Sequence, residues 1–139
     1  MPALAPVLDG SLNDAIARAV ECLAQGDLVA FPTETVYGLG ADATSDTAVA
    51  RIFDAKARPS FNPLIIHGAD QAALGPLIIW NDRAQRLADT FWPGPLSMVL
   101  EKSHDCPVSQ LASAGLDTIA VRVPAHPVAR TLLAGFSKT

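Results

Sequence analysis

Four short apolar runs, each bordered by proline, constrain this chain more than any other feature. Leu28-Val29-Ala30-Phe31 is closed by Pro32, and Pro63 opens Leu64-Ile65-Ile66-His67. Leu96–Glu101 follows Trp92-Pro93-Gly94-Pro95, and Thr118–Val123 is closed by Pro124. Such runs are too short for buried helices and read as strands. The last run alternates: Ile119, Val121 and Val123 share one side, Thr118, Ala120 and Arg122 the other. Arg122 therefore needs a carboxylate, a phosphate or solvent. A further short strand is expected around Leu4–Leu8.

Stretches of helical period separate these runs. Leu12, Ile16, Ala19, Val20 and Leu23 predict a helix over about 12–25, with Ser11 three residues before Asp14 in capping-box spacing and Gly26 as the stop. A second helix begins after Thr44 or Ser45 and ends near Ala57, because Pro59 pushes Arg58 out of the helical region. Residues 69–77 read as a linker with a short helical turn. Asn81 or Asp82 caps a helix to about Phe91 with Ala84, Leu87 and Ala88 inward, and the last helix covers His126–Phe136. Strands alternating with helices predict an α/β domain, its sheet covered by helices.

Three features carry possible chemistry. If Thr33–Gly38 is extended, Thr33, Thr35 and Tyr37 form a row of hydroxyls, although threonine and tyrosine also simply favour strands. In the second helix Val49, Ile52, Phe53 and Lys56 share one face, so Lys56 is expected to continue the buried stripe. Lys56 and Arg58 then meet at the helix end, where they would suit an oligophosphate or merely complement the helix dipole. His67 ends its strand, as a packed residue or a functional one. Gly38-Leu39-Gly40-Ala41-Asp42-Ala43 has the letters GxGxxA, but no helix opens at the glycines and no acid stands about twenty residues on. No P-loop is present.

Length and charge narrow the class. The 139 residues fit one domain, half of them hydrophobic, with a net charge of −4 that argues against a general nucleic-acid coat protein. Residues 1–50 hold seven acids against Arg18 alone, and the remainder nine Lys and Arg against seven acids, so a local cationic site can exist on an acidic protein. Cys22 and Cys106 form no CxxC pair, and no metal site is expected. The start MPALAPVLDG lacks a basic signal-peptide head, and no run approaches a membrane span. The expectation is a soluble cytoplasmic protein without membrane partners.

The blocks FPTETVYGLGADA, KARPSFNPLIIH, FWPGPLSMVL and TIAVRVPAHP, spanning Phe31 to Pro127, resemble the YrdC-like domain of threonylcarbamoyl-AMP synthases. The resemblance implies a twisted open α/β sheet with a concave cationic face. It also implies a reaction joining L-threonine, bicarbonate and ATP into threonylcarbamoyl-AMP with release of pyrophosphate. Other tRNA threonylcarbamoylation proteins would use the product on tRNA, and tRNA itself is a candidate partner. By the same resemblance Thr35, His67 and Arg122 hold threonine. Lys56 and Arg58, the KxR pair, face the ATP phosphates as the catalytic cations, and Asn62 and Thr118 contact the nucleotide. Magnesium would bridge phosphate oxygens with few protein ligands.

The family's later SxN run does not occur here, and Ser60-Phe61-Asn62 belongs to another block. The domain, taken as 1–139, is therefore expected to be C-terminally incomplete, weakly active or inactive, and prone to self-associate through an exposed apolar patch or strand edge. Competing functions are an RNA-binding module, a carbamoyl-transfer domain of the hydrogenase-maturation type, and a non-catalytic paralogue. Threonine-dependent pyrophosphate formation separates the synthase from all three.

Overall fold

The computed structural model describes residues 5–57, 59 and 62–136. The elements follow in the order α1 (Asn13–Ala24), β1 (Val29–Pro32), β2 (Tyr37–Gly40), α2 (Asp46–Lys56), β3 (Ile65–His67), α3 (Gln71–Leu74), a 3-10 turn (Gly75–Leu77), α4 (Asp82–Phe91), β4 (Met98–Glu101), β5 (Thr118–Arg122) and α5 (Pro127–Gly135). The alternating helices and strands expected from the sequence are present. The strands form two sheets: an antiparallel β1–β2 hairpin and a three-stranded sheet ordered β3-β5-β4.

β5 is the centre of the larger sheet, parallel to β3 and antiparallel to β4. Its alternation works as the sequence predicts on one side: Ile119, Val121 and Val123 are buried, with Ile66 and Met98 beside Val121. That face packs with Val49 and Phe53 of α2, Leu74 of α3, and Ala84 and Ala88 of α4 in one core. The opposite face leaves Ile65 45% and Val99 67% exposed on either side of Ala120. A second, smaller core joins Leu23 of α1, Phe31 of β1, and Ala129 and Leu132 of α5.

Helix starts follow local hydrogen-bond chemistry. The side chains of Ser45, Asp70 and Asn81 each accept the backbone N–H three residues on, and His126 Nδ1 accepts that of Val128. α1 differs from expectation. Ser11 donates its hydroxyl to Asp9, at 2.6 Å, so Leu12 becomes an N-cap without a side-chain bond. Gly26 does stop the helix, at φ 84°. Leu87, expected inward, is 41% exposed, because Ala84 and Ala88 alone form the narrow contact stripe of α4. No strand forms over residues 5–8, and Met1–Leu4 lie outside the described residues.

The WPGP segment is a shaped bend. The Trp92 indole donates to the Leu96 carbonyl at 2.8 Å and stands edge-on to Trp80. Gly94 donates its N–H to the Val123 carbonyl at 2.8 Å, pinning the bend to the residue that follows β5. A Cβ on Gly94 would lie 2.3 Å from the Phe91 carbonyl oxygen, a backbone atom that cannot swing aside. Gly94→Ala is therefore expected to destabilise the fold by about 1–3 kcal/mol. Urea unfolding measures this, and an unchanged midpoint would mean the bend relaxes freely.

Candidate functional site

The site forms where the hairpin meets the larger sheet. Because β3 and β5 are parallel, their last residues, His67 and Arg122, are register partners. Carboxyl ends of parallel strands are where open α/β sheets take ligands. The turn between β1 and β2 closes over this end. It is not the extended row of hydroxyls considered from the sequence. Thr33 N–H donates to the Val36 carbonyl, at 3.2 Å, and the Thr33 hydroxyl also donates to that carbonyl. The same Oγ1 accepts N–H bonds from Thr35 and Val36, at 3.3 and 3.2 Å. A threonine that offers its own oxygen to the backbone bends the chain here, so Glu34 and Thr35 swing toward the sheet.

Arg122 is the most buried charge of the site, at 6% exposure. Its Nε donates to the Gly94 carbonyl at 3.2 Å, one terminal nitrogen to Thr35 Oγ1 at 3.4 Å, and the other to Glu34 Oε1 at 2.6 Å. The carboxylate that Arg122 needs is thus Glu34, whose second oxygen accepts the Ala125 N–H at 2.8 Å. Burial pulls the Glu34 carboxyl upward. Its own and the Ala125 backbone N–H, with the Arg122 charge and hydrogen bond, outweigh that and leave it below 4.5. Glu34 escaped the sequence analysis. The available signal was that it is the single acid in the FPTETVYG block, facing an arginine without a partner.

His67 packs edge-on against Phe31, ring centroids 6.2 Å apart, which links the two cores. Its Nδ1 lies 3.2 Å from the Ile65 carbonyl. A carbonyl only accepts, so Nδ1 carries the proton and the neutral ring presents Nε2 as an acceptor. Burial holds the imidazole below 6.5; the Ile65 bond raises it, the Arg122 charge lowers it, and Glu34 raises it.

Thr35, His67 and Arg122, far apart in sequence, therefore stand together. Lys56 does not match its expected position. It is exposed: the buried stripe of α2 stops at Ile52 and Phe53, and Lys56 is the last helical residue before the left-handed cap at Ala57, φ 49°. Arg58 lies outside the described residues, as do Ser60 and Phe61. Asn62 is half-buried and bonds its N–H to Pro59 at 3.2 Å. Thr118 is half-buried at the opposite end of β5, beside Glu101 and four residues from Arg122, about 13 Å along the strand. Among the described residues no group of three or more His, Cys, Asp or Glu could hold a metal ion, and no helix is long and apolar enough to cross a membrane.

A mixed open sheet, helices on one face and a buried guanidinium at its parallel end, makes this an open α/β domain with a polar site at the carboxyl edge of its sheet. The family model described as "Telomere recombination", covering Sua5, YciO and YrdC, matches residues 21–139, and the chain belongs to that family. It is 54% identical over 119 residues to the threonylcarbamoyl-AMP synthase of Pyrococcus abyssi, covering 85% of this chain and 34% of that protein. To the threonylcarbamoyl-AMP synthase of Bacillus subtilis it is 47% identical over 128 residues, covering 88% of this chain and 36% of that one. The chain thus spans about a third of these relatives. The crystal structure of P. abyssi Sua5 complexed with L-threonine superposes with a TM-score of 0.86 at 46% identity, over 96% of this chain and 38% of that one.

The depressed His67 value has a consequence for stability. Below pH 6.5 the unfolded imidazole binds a proton that the folded one refuses. The stabilisation is complete above 6.5 and is lost as pH falls through that value toward the folded one. Thermal unfolding from pH 7.5 to 5 is expected to show this decline in the native chain and a flatter profile in His67→Gln. Parallel profiles would remove His67 as the cause.

Proposed function

We propose that this chain is the adenylate-forming part of a threonylcarbamoyl-AMP synthase. The L-threonine amine forms a C–N bond to the bicarbonate carbon as a C–O bond breaks and water leaves, and an oxygen of the resulting carbamate attacks the α-phosphorus of ATP. The new phosphorus–oxygen bond forms as the bond to pyrophosphate breaks. Threonylcarbamoyl-AMP then passes to other tRNA threonylcarbamoylation proteins, and tRNA is the eventual acceptor. The observation that carries this reading is the convergence of Thr35, His67 and Arg122 at one sheet end. The L-threonine in the solved Sua5 relative supports it.

In this reading each group has a task. Arg122 takes the threonine carboxylate in a charge-assisted bond. His67 Nε2 accepts from the threonine hydroxyl, and the Thr35 hydroxyl bonds the same ligand. Lys56 and Arg58 neutralise charge on the ATP phosphates, and Asn62 and Thr118 contact the nucleotide. Thr118 and Arg122 share one face of β5, so amino-acid and nucleotide ends can lie at opposite ends of one strand. Catalysis by such a site is mainly positioning and charge neutralisation. Among the described residues no three or more His, Cys, Asp or Glu are grouped to hold a metal ion, so magnesium would be held mainly by the phosphates.

Two measurements test this. Calorimetry on Arg122→Lys, which keeps the charge but not the planar fork, is expected to show threonine binding weakened by about 1.5–3 kcal/mol. Unchanged affinity would sink the carboxylate assignment. For the phosphate end, ATP affinity is expected to fall as salt rises and to drop further in Lys56→Ala. If Lys56 only complements the helix dipole, the variant would lose under about 1 kcal/mol of stability and keep its ATP affinity.

A further inference from the structure

Two donors from outside its own turn converge on Glu34: a terminal nitrogen of Arg122 at 2.6 Å and the Ala125 N–H at 2.8 Å, one to each carboxylate oxygen. A guanidinium and a backbone N–H aimed at two oxygens of one group make a seat for a carboxylate. Arg122 keeps only 8% of its side chain exposed, so a free amino acid cannot reach it while Glu34 is in place. The group that occupies the seat comes from a turn, not from a strand or helix.

That turn holds its own shape. Thr33 supplies its internal hydrogen bonds, through its N–H and its hydroxyl. Across to the end of β5 and the chain beyond it, the turn reaches through the two Glu34 bonds and the weak 3.4 Å contact of Arg122 with Thr35. Val36 and Tyr37 at its edge are 71% and 76% exposed, so lifting the turn uncovers little packed surface there. The guanidinium must have an anion in either state, because an unpaired buried charge is strongly unfavourable. An incoming carboxylate can be that anion as Glu34 leaves for water.

We propose that Glu34 is the resident occupant of the carboxylate seat on Arg122 and Ala125, a built-in competitor that sets the affinity for the amino-acid substrate. This rests on the reading of Arg122 as the partner of that substrate's carboxylate. Glu34 bound and Glu34 released are then two states of the turn, and the ligand binds the second. If the seat stands open about a tenth of the time, removing the competitor tightens binding roughly tenfold. A purely structural Glu34 has the opposite sign, since losing it would disorder Arg122 and weaken binding.

The sign of the effect decides the question. The native chain, Glu34→Ala and Glu34→Gln are titrated separately with L-threonine and with acetate, following the amide resonance of Ala125. Both ligands are expected to shift that resonance at about tenfold lower concentration in Glu34→Ala than in the native chain. Glu34→Gln, which keeps an oxygen acceptor but no charge, is expected to fall between them. Should Glu34→Ala fail to fold, the direction of change in Glu34→Gln decides alone. Acetate binding unchanged or weakened in the variants overturns the proposal. Acetate following the expected order while threonine binds none of the proteins supports the seat and overturns the amino-acid reading.

Discussion

The Arg122 guanidinium is a full charge at 6% exposure, and the site is built around satisfying it. Burying a charge is tolerable only when its donors are matched by acceptors. Here three acceptors come from two separate segments: the Gly94 carbonyl in the WPGP bend, and Glu34 and Thr35 in the hairpin turn. Each drags its segment to the end of β5. Glu34 in turn takes the Ala125 N–H, which ties the hairpin to the entrance of α5. The two hydrophobic cores are thus joined by a polar junction as well as by the Phe31–His67 ring contact. A site at such a junction gains preorganisation from both cores.

The sheet arrangement makes the junction possible. A parallel β3–β5 pair ends on the same side, so its terminal residues form a polar edge without a turn between them. Helices cover the opposite face of that sheet, where Ile66, Val121 and Met98 are buried. The face away from the helices carries Arg122 and Thr118 at the two ends of β5 with the small Ala120 between them, and the hairpin turn covers Arg122. Small at the centre and polar at the ends, this strand face is closed over Arg122 and half-exposed at Ala120 and Thr118.

Much of this was legible where local chemistry decides. Asn81 and Ser45 cap helices because a short polar side chain beats any apolar residue at that position. β5 was legible because alternation over six residues has few other readings. Arg122 on its polar side was legible as a charge in need of a partner, and His67 as a strand end. The misses are all non-local or competitive. Asp9 took the Ser11 hydroxyl that should have capped α1, an outcome set by a loop. Thr33 used its own hydroxyl to fold a turn that strand propensity would have straightened. Glu34 escaped notice for the same reason. Parity holds only while the chain stays extended.

Lys56 carries a different lesson about phosphate binding. Its exposure removes inward placement as an argument, since the stripe set by Val49, Ile52 and Phe53 ends before it. What remains is electrostatic. The carboxyl end of a helix carries partial negative charge, so a phosphate held there is repelled by the backbone. Lys56 alone would spend part of its attraction cancelling that field. A second cation would change the balance, which is why the phosphate reading proposed above needs Arg58 as well as Lys56. The left-handed cap at Ala57 ends the helical backbone immediately before Arg58. The negative end of the helix field therefore falls beside Lys56, and the phosphate site proposed above has to overcome it there.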